Sequence, residues 1–575
     1  MTKSRPLRSA RWYASEDMRG FAHRQRTQQM GLRREEFMGR PVIAIVNTWS
    51  EMSPCHIHLR GVADAVKRGV LLAGGYPVEL PALSVGEVMV KPSTMLYRNF
   101  LAMETEELLR SHPIDGAVLL GGCDKSTPGL LMGAISMDLP AIFCPAGPMS
   151  NGRWHGVKTG AGTHTRKYWD ELRAGKITAQ DWVDLEARMT RSIGTCNTMG
   201  TASTMTGIVD AMGLTLPGAS SIPAADSGHL RMASQCGERI VSMVAEDLRP
   251  SALLTRASFF NGVTAYMALG GSTNAAIHLV ALAGRAGIKL TLEDLAEAAN
   301  RIPVCANLFP SGNALMEDFF FAGGLLALLA KLRDHLDLSC RTVNGLSLGE
   351  NITHAACYDD DVIRDLDNPV VPLSRGRTLA LLRGNLCPDG AVMKTSAADP
   401  RFFNHTGPAL VFDSNAQMLS AIDDPALDVS ADHVLILRNA GPVGAPGMPE
   451  WGNLPIPKKL LSAGVRDMLR ISDARMSGTH YGACVVHVAP ESAIGGPLSL
   501  VRTGDPIRID VQAGTLDMLV SDEELARRRA IWQRPASAYE RSYAALYQAH
   551  VGQAPEGCDF DFLSGTSPVP EPSIY

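Results

Sequence analysis

Between residues 41 and 143, short and continuously apolar runs alternate with longer stretches whose apolar positions recur at helical spacing. Residues 41–47 and 114–120 read as buried strands, and 77–83 and 141–143 as further strands. Residues 56–73 carry Leu59, Val62, Val66 and Val70 along one side and stop at Gly74-Gly75, the pattern of an amphipathic helix with a glycine end. Residues 93–111 and 128–137 read as helices too, the second with Thr127 as N-cap and Pro128 in its first turn. Strands alternating with helices of this length predict a parallel sheet with crossover helices.

The middle of the chain is mostly helical in pattern. Residues 145–195 read as loops with a short helix at 182–188. A helix at 198–212 has a face of small residues (Gly200, Ala202, Ser203, Gly207), which predicts close packing. Gly270-Gly271-Ser272-Thr273-Asn274 caps a helix at 275–283, and further helices are expected at 291–300 and 314–332. Past a linker-like stretch at 369–377 the pattern turns to short β-like runs (379–383, 409–412, 433–437, 483–488, 506–510, 515–520) separated by Gly and Pro turns. A helix is expected over 521–550, an extended tail over 555–575, and a polar, basic arm with a helix at 18–38 over the first forty residues. The fold class expected is therefore α/β, with an N-terminal parallel-sheet α/β domain (1–375) and a C-terminal β-rich, barrel-like domain with flanking helices (376–575).

Composition narrows the function classes. At 575 residues the chain exceeds what one core usually supports. A net charge of −5 without a basic block argues against nucleic acid. No run of apolar residues is long enough to span a membrane, and the N-terminus lacks a secretory apolar segment. Eleven cysteines scattered singly fit a reducing cytoplasm with buried or metal-binding thiols.

The chemistry concentrates on Gly121-Gly122-Cys123-Asp124-Lys125-Ser126-Thr127-Pro128. A thiol, a carboxylate and an amine share a turn at the C-terminal end of a predicted parallel strand, the edge where open α/β sheets bind ligands. The helix that follows is expected to lower the thiol's pKa. Cys55 and Cys196 also sit in loops that open helices, so three thiols could converge; three thiolates leave a coordination position open. Glu87, Asp124 and Glu450 occupy matching loop positions, suited to a hard cation such as Mg²⁺, although each alone also reads as a solvated loop acid. Residues 471–482 (Ile-Ser-Asp-Ala-Arg-Met-Ser-Gly-Thr-His-Tyr-Gly) contain a Ser-Gly turn that could present a hydroxyl or be an ordinary turn; His480 reads as a base or, by default, a surface histidine.

Taken together, Ser53-Pro54-Cys55-His56, the 121–125 turn, residues 194–202, 270–274, 384–386, 441–451, 473–482 and 490–497 resemble the dihydroxy-acid and sugar-acid dehydratase family over residues 35–520. Met448-Pro449-Glu450-Trp451 and residues 472–479 are similar to the sugar-acid branch, of the L-arabinonate and D-xylonate dehydratase type. Ser203 stands where the family usually has Asn. The resemblance implies that Cys55, Cys123 and Cys196 hold a [2Fe-2S] cluster, with [4Fe-4S] as the alternative. It implies that Glu87, Asp124, Glu450 and a carbamylated Lys125 bind Mg²⁺. An unmodified lysine ammonium accepts nothing, and a carbamate would make it an oxygen ligand. Ser477 would be the base, and Ser477 with Thr479 would meet the substrate.

The implied reaction is dehydration of an aldonate to the 2-keto-3-deoxy acid, with cluster and Mg²⁺ as Lewis acids and no net electron flow. The C-terminal domain would supply Glu450 and Ser477, placing the site between domains. A cytoplasmic homodimer or homotetramer is implied. The rivals are a dihydroxy-acid dehydratase of branched-chain amino-acid biosynthesis, a non-catalytic iron–sulfur sensor on the same fold, and a zinc-dependent lyase.

Overall fold

A computed structural model describes residues 6–563 and 569–574. Parts of the expected arm and tail, residues 1–5, 564–568 and 575, lie outside the described residues. The first sheet has four parallel strands in the order β2-β1-β3-β4: β1 is Val42–Asn47, β2 Tyr76–Pro81, β3 Gly116–Gly121 and β4 Ala141–Pro145. β1, β3 and β4 are buried along their whole length, as their unbroken apolar runs require. Helix Leu59–Leu72 packs on Ser227–Glu246, and Thr94–Ser111 packs on Ser126–Met137. The first pair crosses at Gly69 and Gly237, where a Cβ on either would strike the other helix's backbone.

Several local readings change. The helix after β3 begins at Ser126 with Lys125 in the cap position, so Thr127 lies inside the first turn and its hydroxyl is unpartnered. Residues 145–195 hold a hairpin, β5 (Gly152–Trp154) with β6 (Val157–Thr159), and two helices, Thr163–Arg173 and Ala179–Met189. The expected helix at 314–332 is broken by Gly323 at φ +115° into Met316–Phe321 and Gly324–Lys331. The expected 521–550 helix is likewise two, Asp522–Ile531 and Ser542–His550.

The C-terminal half forms an eight-stranded sheet in the order β14-β13-β9-β10-β11-β12-β8-β7. Its strands are β7 (Ala380–Leu382), β8 (Gly390–Met393), β9 (Asn404–Phe412), β10 (Val434–Leu437), β11 (Arg470–Ser472), β12 (Cys484–Ala489), β13 (Pro506–Asp510) and β14 (Thr515–Met518). The two edges meet, since Arg383 N–H donates to Gly514 O at 2.9 Å and Leu516 N–H to Arg383 O at 2.8 Å. The result is a nearly closed barrel with its own apolar interior, including Leu382, Met393, Ile436, Val485 and Ile507. β9 to β12 run parallel, a feature the turn-rich sequence did not reveal. On its outer side, Val392, Met476, Cys484 and Val486 join the N-terminal core. Residues 369–377, read as a linker, are tied to the N-terminal half: Val370 N–H donates to Val304 O at 2.8 Å. Among the described residues no helix is long and apolar enough to cross a membrane.

Candidate active site

The site forms where parallel strands end. Cys123, Asp124 and Lys125 directly follow β3, Cys55 lies on the loop after β1, and Glu87 on the loop after β2. Glu450 and Ser477 come from the loops after β10 and β11, the parallel part of the barrel. Both halves thus present the C-terminal ends of parallel strands to one place, the edge at which such sheets bind ligands.

Glu87, Asp124 and Glu450 each offer a carboxylate oxygen within 4.8 Å of the others. The ammonium of Lys125, fully buried, sits among them, 3.0 Å from Glu87, 3.3 Å from Asp124 and 3.5 Å from Glu450. Burial opposes the lysine's charge and Arg475 repels it, but the three acids together hold its pKa above the ordinary value. Burial also pushes Glu87 up, yet Lys125, Arg475 and the Thr94 hydroxyl that donates to it leave it below the usual carboxylate range. Glu450 is raised by burial, with Glu87 and Asp124 adding to the effect. Three converging acids fit a hard divalent cation. A cation there would compete with the Lys125 ammonium for the same oxygens, and conversion of that amine to an anionic carbamate would remove the conflict.

The thiols of Cys55, Cys123 and Cys196 interact with one another. Cys55 is raised well above the ordinary thiol value by its hydrogen bond to Cys123, then by burial and by the neighbouring thiols. Cys196 is raised by burial, then by Asp124 and Cys123. At Cys55 and Cys196 buried thiolates beside acids lack a compensating positive charge. A thiophilic metal group would supply that charge, so the donor set fits an iron–sulfur cluster. The Cys123 turn is held by His56, whose Nε2 accepts from Cys123 N–H at 3.2 Å. Burial and the nearby His58 push His56 down to about 3, leaving it a neutral acceptor.

Ser477 Oγ lies 3.0 Å from Thr479 Oγ1 on a partly exposed turn. Thr479 is seated between Gly162 and Gly200; a Cβ at Gly200 would fall 2.6 Å from its Cγ2. Thr163 Oγ1 donates to Thr479 O, so the helix Thr163–Arg173 closes on this turn. His480 is half-buried, its Nδ1 shielded from solvent, and burial, with Arg166 and Arg470 nearby, pushes it down to about 3. Arg475 was missed in the sequence. Fully buried, its guanidinium donates to Met448 O at 2.7 Å, Glu450 Oε1 at 3.0 Å and Ser93 Oγ at 3.0 Å. The one signal for it was a pair of opposite charges, Asp473 and Arg475, inside a run of otherwise small and apolar residues.

Residues 40–351 match the dihydroxy-acid/6-phosphogluconate dehydratase N-terminal family, and residues 361–558 its C-terminal counterpart. The chain is 72% identical to a 6-deoxy-6-sulfo-D-gluconate dehydratase of Pseudomonas putida, covering 100% of this chain and 99% of the relative. It is 48% identical to an L-arabonate dehydratase of Azospirillum brasilense, covering 100% of both chains. It is 38% identical to a dihydroxy-acid dehydratase of Caldanaerobacter subterraneus, over 94% of this chain and 97% of the relative. Matched by both halves of the family and aligned end to end with its members, the chain belongs to the dihydroxy-acid/6-phosphogluconate dehydratase family.

Proposed function

We propose that this protein is a hydro-lyase that dehydrates an aldonate to the corresponding 2-keto-3-deoxy acid, with 6-deoxy-6-sulfo-D-gluconate as its first candidate substrate. The observation that carries the reaction class is the convergence of three acids and a lysine with three thiols and the Ser477 turn. The substrate rests on the 72% identity to the sulfogluconate enzyme, against 48% to the L-arabonate enzyme. The expectation of a pentonate substrate is kept as the alternative.

In this reading Glu87, Asp124, Glu450 and carbamylated Lys125 hold Mg²⁺, and Cys55, Cys123 and Cys196 hold a [2Fe-2S] cluster. When bound, these groups supply Lewis acidity toward the substrate's carboxylate and hydroxyl groups. The chain's own part is proton transfer and placement. Ser477 Oγ, as an alkoxide, takes the proton from C2. The C2–H electron pair forms the C2–C3 double bond as the C3–O bond breaks, and the leaving hydroxide takes up a proton to become water. The enol then tautomerises to the keto acid. A serine is a weak base unless nearby positive charge stabilises its alkoxide, and Thr479 Oγ1 at 3.0 Å can donate to that oxygen. Burial of the turn's flanks restricts water around the developing charge.

The test is a keto-acid assay on anaerobically purified protein with Mg²⁺. The panel is 6-deoxy-6-sulfo-D-gluconate, D-gluconate, D-galactonate, L-arabinonate, D-xylonate and 2,3-dihydroxyisovalerate. The sulfonated acid should give the highest kcat/KM. A higher value for a pentonate would replace the substrate, and turnover of 2,3-dihydroxyisovalerate alone would overturn the sugar-acid reading.

A further inference from the structure

The Gly270-Gly271-Ser272-Thr273-Asn274 turn has no part in the chemistry above, yet both halves grip it. Gly270 O accepts from Lys394 Nζ, on the barrel side, at 2.5 Å. Ser272 N–H donates to Thr204 Oγ1 at 3.0 Å, and the Ser272 and Thr201 hydroxyls are 2.9 Å apart. Gly478, next to Ser477, lies so close that a Cβ there would collide with the Ser272 side chain. Ser272, Thr273 and Asn274 are fully buried.

Asn274 reaches the cation site itself. Its Nδ2 donates to Glu450 Oε1 at 2.8 Å and to Thr201 Oγ1 at 3.0 Å. A carboxylate only accepts, so the chemistry of the contact sets which end of the amide faces Glu450. Oε1 also receives Arg475 NH1 at 3.0 Å and Lys125 Nζ at 3.5 Å. Asn274 and Arg475 hold Oε1 whatever the state of Lys125, and Oε2 is the oxygen left to ligate.

We infer that Asn274 is a positioning residue. It locks the Glu450 carboxylate with Oε1 held by the N-terminal half and Oε2 available to the cation. The turn is thereby the joint through which one half aligns the acid that the other contributes. The inference rests on the acid triad being a cation site.

The experiment is a Mn²⁺ titration of the full chain, followed by the EPR signal of the free ion. Asn274→Ala and Asn274→Ser are compared with wild type, each also in a Glu450→Gln background. Outer partners of metal ligands typically change affinity about 10–100-fold. Both variants should weaken Mn²⁺ binding by that factor in the wild-type background. In the Glu450→Gln background they should change it less than about twofold, since coupled positions are not additive. Visible absorption and Tm should stay near wild type. Affinity within about twofold of wild type, or equal weakening in both backgrounds, overturns the inference. So does failure of both variants to fold, which makes the role structural. A wild-type protein that takes up no Mn²⁺ overturns the cation reading itself, and this inference with it.

Discussion

In the N-terminal half, Cys123, Asp124 and Lys125 follow the last residues of β3 directly, so the strand itself aims them. In the C-terminal half, a long loop over residues 438–449 separates β10 from Glu450, and nothing regular supports it. That loop is pinned from outside by buried charge. Asp473 accepts from Ala440 N–H at 3.0 Å, and Glu491 from Val443 N–H at 2.9 Å and Gly444 N–H at 2.8 Å. Arg475 holds Met448 O. The N-terminal site residues inherit the precision of a sheet edge, while the C-terminal ones depend on a small set of side-chain clamps. Buried carboxylates can do this because each accepts several backbone N–H groups that would otherwise be unpaired.

The largest effects should come from the reacting groups on either side. Ser477→Ala should lower kcat by about 10²–10⁴-fold, the range for a lost general base, with visible absorption and Tm unchanged. Turnover near wild type would remove Ser477 as the base. Cys123→Ser should bleach the visible absorption and abolish activity; full colour would break the ligand assignment on the N-terminal side. Next, EDTA should strip most activity and Mg²⁺ should restore it, because the triad joins acids from both halves. Indifference to EDTA would count against an exchangeable hard cation.

A smaller effect separates the clamps from the sheet edge. Burial, with Asp473 beside it, pushes Glu491 up to about 7. A carboxyl raised in the folded state binds protons there that the unfolded chain has released. Its contribution is therefore fully present below about pH 4.5 and is lost as pH rises toward 7. The stability of wild type relative to Glu491→Gln, from urea unfolding, should fall by about 1–3 kcal/mol between pH 4.5 and 8. A flat difference would remove Glu491 as a titrating clamp. The smallest effect belongs to Arg188, paired with Asp184 at 2.8 Å on the exposed helix Ala179–Met189. Arg188→Ala should cost under about 1 kcal/mol and leave kcat/KM unchanged, since exposed ion pairs contribute little.

Much of this was readable along the chain. β1, β3 and β4 were visible because strands buried on both faces are written as unbroken apolar runs, whereas β2, half-buried and carrying Glu79, was placed by the alternation of strands and helices around it. The Cys123-Asp124-Lys125 turn stood out because chemistry-bearing residues rarely gather at such an edge by chance. β8 and β11 were missed because they are short and begin on Gly390 and Arg470, so no run announced them. The long helices expected at 314–332 and 521–550 were each two, since helical periodicity alone does not place a break. The surroundings of His480 were not legible because they depend on tertiary packing, which brings Arg166, more than three hundred residues away, near its ring.

By itself the sequence determined most element types and the family resemblance, and it named the candidate site residues, because these depend on local periodicity and on motifs short enough to be read in place. Only the tertiary structure decided that Glu87, Asp124 and Glu450 stand close enough together to hold one cation, that Lys125 lies among them, and that Asn274 and Arg475 donate to Glu450. It also decided the thiol pKa directions, because burial and neighbouring charge are properties of three-dimensional surroundings and leave no mark on spacing.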